Sequence, residues 1–262
     1  MPARPIDVLG AAIPPLRDRY TTHRAFGEAS IAEAFSPYAR RLRELQATTF
    51  SSMIFFNRGG AFEPVELPAE AQLAPAFSVN VGDFDGDGAD DIFLSQNFFD
   101  TQMENSRCDA GRGLLLRNSG AGKMTAIAGQ ESGIEVYGEQ RGAALADFNH
   151  DGRVDLVVTQ NSGETKLYAN SKAKPGLRVT LHGPPGNLDA IGAQIRLRYR
   201  GEKSGPARNI AAGSGYWSQD GATQILGLAE TPEALWIRWP GGKEQTVPVE
   251  NNARDLRVDF HP

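Results

Sequence analysis

At 262 residues, with 40% hydrophobic and 23% charged side chains, the chain has the composition of a globular protein long enough for two domains. A net charge of −5 argues against nucleic-acid binding, which needs a concentrated basic surface. Cys108 is the only cysteine, which excludes an intrachain disulfide and a cysteine zinc cluster, and no apolar run reaches the roughly 18 residues of a membrane span.

The first twenty residues, MPARPIDVLGAAIPPLRDRY, have too short an apolar stretch and too many prolines for a secretory signal. The chain is therefore expected either to stay in the cytoplasm or to be the later part of a longer product. Ile31, Phe35, Tyr38, Leu42 and Leu45 are spaced as one face of a helix, interrupted by Ser36-Pro37. Serine caps helices and proline suits the first helical position. Two short helices are predicted, one ending near Phe35 and one running from Pro37 to about Gln46. Residues 1–50 are read as a helical segment that packs on a sheet or offers a helix to a partner.

From Phe50 onward the period changes to two. Short β-rich runs follow: MIFF (53–56), FSVNV (77–81), DIFLS (91–95), LLLR (114–117), AALAD (143–147) and DLVVT (155–159). Turn residues separate them, as in an antiparallel all-β array. The pattern repeats: strand, Asn-x-Gly turn, strand, acidic loop, strand, Gln-Asn. One acidic loop starts at Asp83 and the next at Asp147, and a third start, KLYAN, lies at 166–170. Such a repeat predicts propeller blades or a β-solenoid over residues 51–175. After KAKPG (172–176) the repeat stops. AQIRLRYR (193–200) alternates Ile195, Leu197 and Tyr199 with Arg196, Arg198 and Arg200. With LRVTLHG (177–183) and ALWIRWP (234–240), it predicts a β-sandwich-like domain over 176–262.

The acidic loops demand an explanation, because like charges packed so tightly repel. With Asp83 as position 1, GDFDGDGADD places Asp85, Asp87 and Asp91 at positions 3, 5 and 9, Gly88 at 6 and the carbonyl of Ala89 at 7. The second loop offers Asp147, Asn149, Asp151 and Asp155, with Gly152 at 6 and the carbonyl of Arg153 at 7. Oxygens at 1, 3, 5, 7 and 9 around a glycine at 6 match most of the EF-hand calcium pattern. A hard divalent cation wants about six to eight oxygens, and a curling loop turns alternate residues inward. Position 12 departs from that pattern, being Leu94 and Val158 where a bidentate glutamate is needed, and the flanks are strands rather than helices. Two calcium sites on β-hairpin loops are predicted. The second is the weaker, having three carboxylates to the first loop's four.

DxDxDGxxD between strands resembles the FG-GAP/VCBS repeat of integrin-like β-propellers. GNLDAIGAQIRLRYRGE, AAGSGYWSQD and ALWIRWPGGKEQTV resemble the ASPIC/UnbV domain, which follows such repeats in many bacterial exported proteins. PPLRDRYTTHRAFGEAS is similar to a helical insert that some bacterial members carry between blades. The resemblance implies a partial propeller with an N-terminal helical segment, calcium ligated by the residues named above, and a place outside the cytoplasm. It further implies contacts with protein or glycan and no established chemistry. Family members often carry a histidine near Ile225, where this chain has ATQILGLAE, so no function of that histidine carries over. Two repeats cannot close a ring of about seven blades, so open strand edges invite self-association or covering by another segment.

Catalytic motifs are absent from the sequence. Histidines 23, 150, 182 and 261 form no paired metal spacing, and Gly213-Ser214-Gly215 is not a nucleophile elbow. Gly183-Pro184-Pro185-Gly186 is a turn with no lysine to hold phosphate. Tyr216, Trp217, Trp236 and Trp239 suit either a core or a sugar-stacking face. The expected function is a calcium-binding adhesion or scaffold protein. The alternative is a calcium-dependent enzyme or accessory subunit with a pocket at the seam between repeats and C-terminal region.

Overall fold

The computed structural model describes residues 4–43, 45–101, 105–120 and 122–261. The chain divides into two compact units, Met1–Phe50 and Ser51–Pro262.

The first unit is helical: α1 (Ile6–Ala12), α2 (Pro15–Arg19), α3 (His23–Glu28), α4 (Ile31–Ala34) and a 3-10 turn, Ser36–Arg41. Thr22 caps α3, and Ser30 forms a capping box with Glu33 on α4; such caps contribute about 1 kcal/mol each. Ile6, Leu16, Phe26 and Ala34 form its small core. The helix read from Pro37 to Gln46 stops at Arg41, and Leu42 is already extended. Leu42 and Leu45 are 53% and 79% exposed, so the face they share with Tyr38 has nothing to bury against within this unit. Glu44 lies outside the described residues.

The second unit is mainly β. It contains β1 (Met53–Asn57), β2 (Phe62–Glu66), β3 (Ala76–Gly82), β4 (Asp91–Gln96), β5 (Leu114–Asn118), β6 (Met124–Ile127), β7 (Glu139–Ala146), β8 (Asp155–Asn161) and β9 (Gly163–Tyr168). They form a hairpin β1-β2, a meander β3-β4-β5-β6 and a meander β7-β8-β9, all antiparallel. The three sheets stack face to face. Ile54 and Phe56 of the hairpin pack on Ile92, Leu94 and Leu116, while Phe93, on the other face of β4, packs with Leu145, Leu156 and Val158. Every residue of β4 is buried, as expected of a strand covered on both faces. Asx turns in which Asn57 and Asn118 accept from the N–H of Gly59 and Gly120 (2.9 and 3.1 Å) close the two equivalent hairpins. No closed barrel or ring forms among the described residues.

The remainder comprises β10 (Leu177–His182), β11 (Gln194–Arg198), β12 (Arg208–Asn209), β13 (Gln224–Leu226), β14 (Ala234–Arg238), β15 (Glu244–Pro248) and β16 (Asp255–Asp259). Sheets β13-β10-β16 and β12-β11-β14-β15 share one core containing Leu177, Val179, Ile195, Leu197, Leu235 and Trp239. β10 and β16 run parallel, unlike the strands of the repeat region, which are antiparallel as expected there. The chain crosses the second sheet before returning, and a strand reached by such a crossover can run either way. Trp239 is 1% exposed, but Trp217 is 95% exposed with φ +49°, so the tryptophans do not form one core group.

Candidate metal centre

Both acidic loops are hairpin tips, β3–β4 and β7–β8, and both are built by the same backbone bonds. In the first loop, Asp83 accepts from the N–H groups of Asp87 (3.2 Å) and Gly88 (2.8 Å), and also from Gly86 (2.7 Å). In the second, Asp147 accepts from Asp151 (2.9 Å) and Gly152 (2.9 Å). The last carboxylate ties the loop shut. Asp91 accepts from Phe84 N–H (2.9 Å) and Asn118 N–H (2.8 Å), and Asp155 from Phe148 N–H (3.1 Å) and Asn170 N–H (2.7 Å). Gly88 and Gly152 at position 6 have φ of +92° and +80°, where a side chain would be strained.

Of the first loop's residues, Asp83, Asp85 and Asp91 converge, their nearest oxygens all within 4.8 Å of one another, and they could hold a metal ion. Hard oxygen donors on a curled backbone suit calcium or magnesium rather than a soft metal. Burial pushes the Asp91 carboxyl up to about 7, and the charges of Asp85 and Asp83 add to it. Burial likewise raises Asp83. Both carboxylates are thus held where a cation would relieve them. Asp87 stands apart; it is exposed and accepts from Ala89 N–H at 2.7 Å. Ala89 itself is half-buried.

The second loop carries Asn149 where the first carries Asp85, so it has no matching carboxylate triad, and among the described residues Asp147, Asp151 and Asp155 do not cluster. There, Arg178 of β10 places Nε 2.8 Å from Asp147 Oδ2, and Arg153 Nη1 lies 2.9 Å from Asp151 Oδ2. Asn149 donates to Asp151 at 3.0 Å. Burial raises Asp151, but hydrogen bonds from Asn149 and Arg153 outweigh it and leave the carboxyl below its usual range. Burial raises Asp155. His150, at position 4, has φ +62° and accepts from Arg178 Nη2 at 2.6 Å, so this exposed ring has a partner.

Both loops lie against the C-terminal region. Gly227 backs directly onto Asp83, and a Cβ there would overlap its Oδ2. Arg208 reaches Asp90 Oδ1 (2.5 Å) and Val81 O (2.8 Å). On the inner edges of β3 and β7, Asp220 Oδ1 accepts from Leu145 N–H (2.7 Å) and Asn80 Nδ2 (3.3 Å), and Gly221 donates to Leu145 O at 2.8 Å. Ile225 sits in the core between the two meanders. The sequence singled out none of Arg178, Arg208, Asn118, Asn170 or Asp220 as site residues. Only the asparagines left a signal, as the last letters of LLLRN and KLYAN.

A cavity of about 220 Å³ lies at the seam, lined by Asp90, Arg208, Ser214 and Asp220 among others. A larger cleft, about 690 Å³, opens between the two meanders beside Asp85, Asp91, Arg117 and Lys172.

Residues 183–259 match the protein-family model ASPIC and UnbV. The ASPIC/UnbV match therefore contains β11 to β16, Arg208, Asp220 and Gly227. Cartilage acidic protein 1 of Xenopus tropicalis is 41% identical over 63 residues, 23% of this chain and 10% of that protein. The mouse and human proteins of the same name are 33% and 32% identical over 105 residues, 40% of this chain and 13% of each relative. The matched stretches thus span about a tenth of the length of these curated relatives.

Proposed function

We propose that the chain is a calcium-stiffened, non-enzymatic β-repeat protein that works outside the cytoplasm and contacts protein or glycan partners. In this reading the two meanders are consecutive FG-GAP/VCBS blades of a partial integrin-like propeller, preceded by the outer hairpin of another, with an ASPIC/UnbV-like module from 176 onward. The observation that carries it is the convergence of Asp83, Asp85 and Asp91, of which Asp83 and Asp91 are buried and form no ion pair with arginine or lysine among the described residues. Calcium modules outside cells bind with Kd of about 10⁻⁴–10⁻³ M, matched to the ion's abundance there. Trp217, 95% exposed and stacked on Tyr216 at 5.6 Å, supplies an aromatic surface of the kind that protein and glycan partners use. The enzyme reading wants a deep seam pocket with convergent polar groups; the seam holds a cavity of about 220 Å³ and a hollow of about 510 Å³, the latter lined mainly by apolar side chains such as Leu145, Phe148, Leu156 and Leu167.

Thermal unfolding tests the metal. The melting temperature is expected to rise on going from chelator to millimolar calcium, and Asp83→Ala should cost more in calcium than in chelator. At about 1 mM calcium and a Kd of about 10⁻⁴–10⁻³ M the difference is about 0.4–1.4 kcal/mol. Equal melting temperatures with and without calcium would sink the proposal.

A further inference from the structure

The geometry points to Arg178 as a tethered cation that takes the metal's place in the second acidic loop, so that the chain holds one calcium ion, at the first loop, rather than two. This deepens the metal reading and rests on it.

The strand that carries Arg178 explains how it arrives. In β10, Leu177, Val179 and Leu181 point into the C-terminal core, so Arg178, between them, points to the opposite face. The linker before it is fixed to the loop, Gly176 N–H donating to Gly152 O at 2.8 Å. Once there, the guanidinium meets three partners: Nε lies 2.8 Å from Asp147 Oδ2 as an ion pair without hydrogen-bond geometry, Nη1 meets Asp255 Oδ2 (2.5 Å), and Nη2 donates to His150 Nδ1 (2.6 Å). Arg178 is 17% exposed and Asp147 1%, so neither water nor salt screens the pair well. Asp147 is position 1, the carboxylate a metal would need first.

The first loop receives an arginine from the C-terminal region too, but at a different address. Arg208 binds Asp90, at position 8, which is outside the converging triad; in the second loop position 8 is Val154. The extra carboxylate absorbs the arginine and leaves Asp83 free, whereas without it the arginine takes the ligand itself. Arg117 does reach Asp85 in the first loop, at 3.2 Å, yet it is 44% exposed and shared with Glu131 at 3.5 Å, so water and a second carboxylate compete for it. The loops' own carboxylates number five against two arginines in the first, three against two in the second. A doubly charged ion entering the second loop would meet a buried, hydrogen-bonded guanidinium of like sign.

Calorimetric titration of the full chain with calcium chloride decides it. The wild type is expected to bind one equivalent, Asp83→Asn none, Arg178→Gln two, and the double variant one. Circular dichroism checks that each variant is folded. Two equivalents in the wild type, one equivalent that survives Asp83→Asn, or a folded Arg178→Gln protein still at one would each overturn the inference while leaving calcium binding intact. Should Arg178→Gln fail to fold, the wild-type stoichiometry and its response to Asp83→Asn still decide between one ion and two. Absence of binding in all four proteins would instead remove the metal reading, and the inference with it.

Discussion

The two acidic loops share a backbone and differ in what neutralises them. The bonds from position 2 to position 9 are 2.9 and 3.1 Å, and those from position 6 to position 1 are 2.8 and 2.9 Å. Both loops end on an asparagine whose N–H and side chain pin the ninth residue and its neighbour: Asn118 Nδ2 donates to Asp90 O, and Asn170 Nδ2 to Val154 O. Aspartate, glycine and asparagine at fixed spacing therefore give both loops the same backbone. On the proposal above, the cation that neutralises each loop depends on which arginine the C-terminal region delivers and to which position.

The sharpest way to break this comparison is to remove each arginine in turn. Arg178→Ala strands the buried Asp147 and should cost about 3–5 kcal/mol in chelator, the usual penalty for orphaning one member of a buried pair. Millimolar calcium should restore part of that loss, because the vacated carboxylates become ligands. Arg208→Ala should cost a comparable amount, since Arg208 is 12% exposed and Asp90 24%. Here calcium should not help, because Asp90 is outside the triad. Urea unfolding of both variants, with and without calcium, measures it. Equal rescue of the two would erase the distinction between the loops.

A smaller effect is expected at Gly227, which touches only the first loop. Adding a Cβ would force Asp83 Oδ2 aside, and neither the buried carboxylate nor its three backbone bonds can give way cheaply. Gly227→Ala should lose about 1–3 kcal/mol from overpacking. It should also weaken calcium binding, which titration against the folded variant reads out. Unchanged affinity would show that the seam does not hold Asp83 in place.

How much of this was legible in the sequence follows from range. MIFF, FSVNV, DIFLS, LLLR, AALAD and DLVVT all lie largely or wholly in strands, because alternation and β-branched residues act over a few positions. The loop positions were legible for the same reason: Asp83 and Asp91 are eight residues apart, and local spacing fixes their approach. The helix from Pro37 failed because periodicity reports what could be buried, and Leu42 and Leu45 find no partner within their unit. Arg178 and Arg208 were illegible as site residues. Nothing near Arg178 in the sequence says that β10 will run past a distant hairpin tip. The alternation of AQIRLRYR did identify its buried face, but not that Arg198 spends itself on Ser204 and the Trp236 ring.

The mildest test uses protons in place of calcium. Asp91 is 1% exposed and its carboxyl is held up to about 7, against about 3.9 in an unfolded chain. Between those values the folded protein keeps a proton that the unfolded chain has released. That contribution to stability is complete below about pH 4 and is lost as pH rises through about 7, with a slope of at most about 1.4 kcal/mol per pH unit. The metal-free protein should therefore weaken from pH 5 to pH 8. Calcium competes with that proton and binds better as it leaves, so saturating calcium should flatten or reverse the Asp91 contribution. Asp155 is raised in the same direction by burial, but its loop already holds a guanidinium, so its share of the slope should persist in calcium. Asp91→Asn ought to remove the calcium-sensitive part and Asp155→Asn the insensitive part, read from urea midpoints across that range. If calcium flattened both contributions equally, the second loop would be taking up metal with Arg178 still in place.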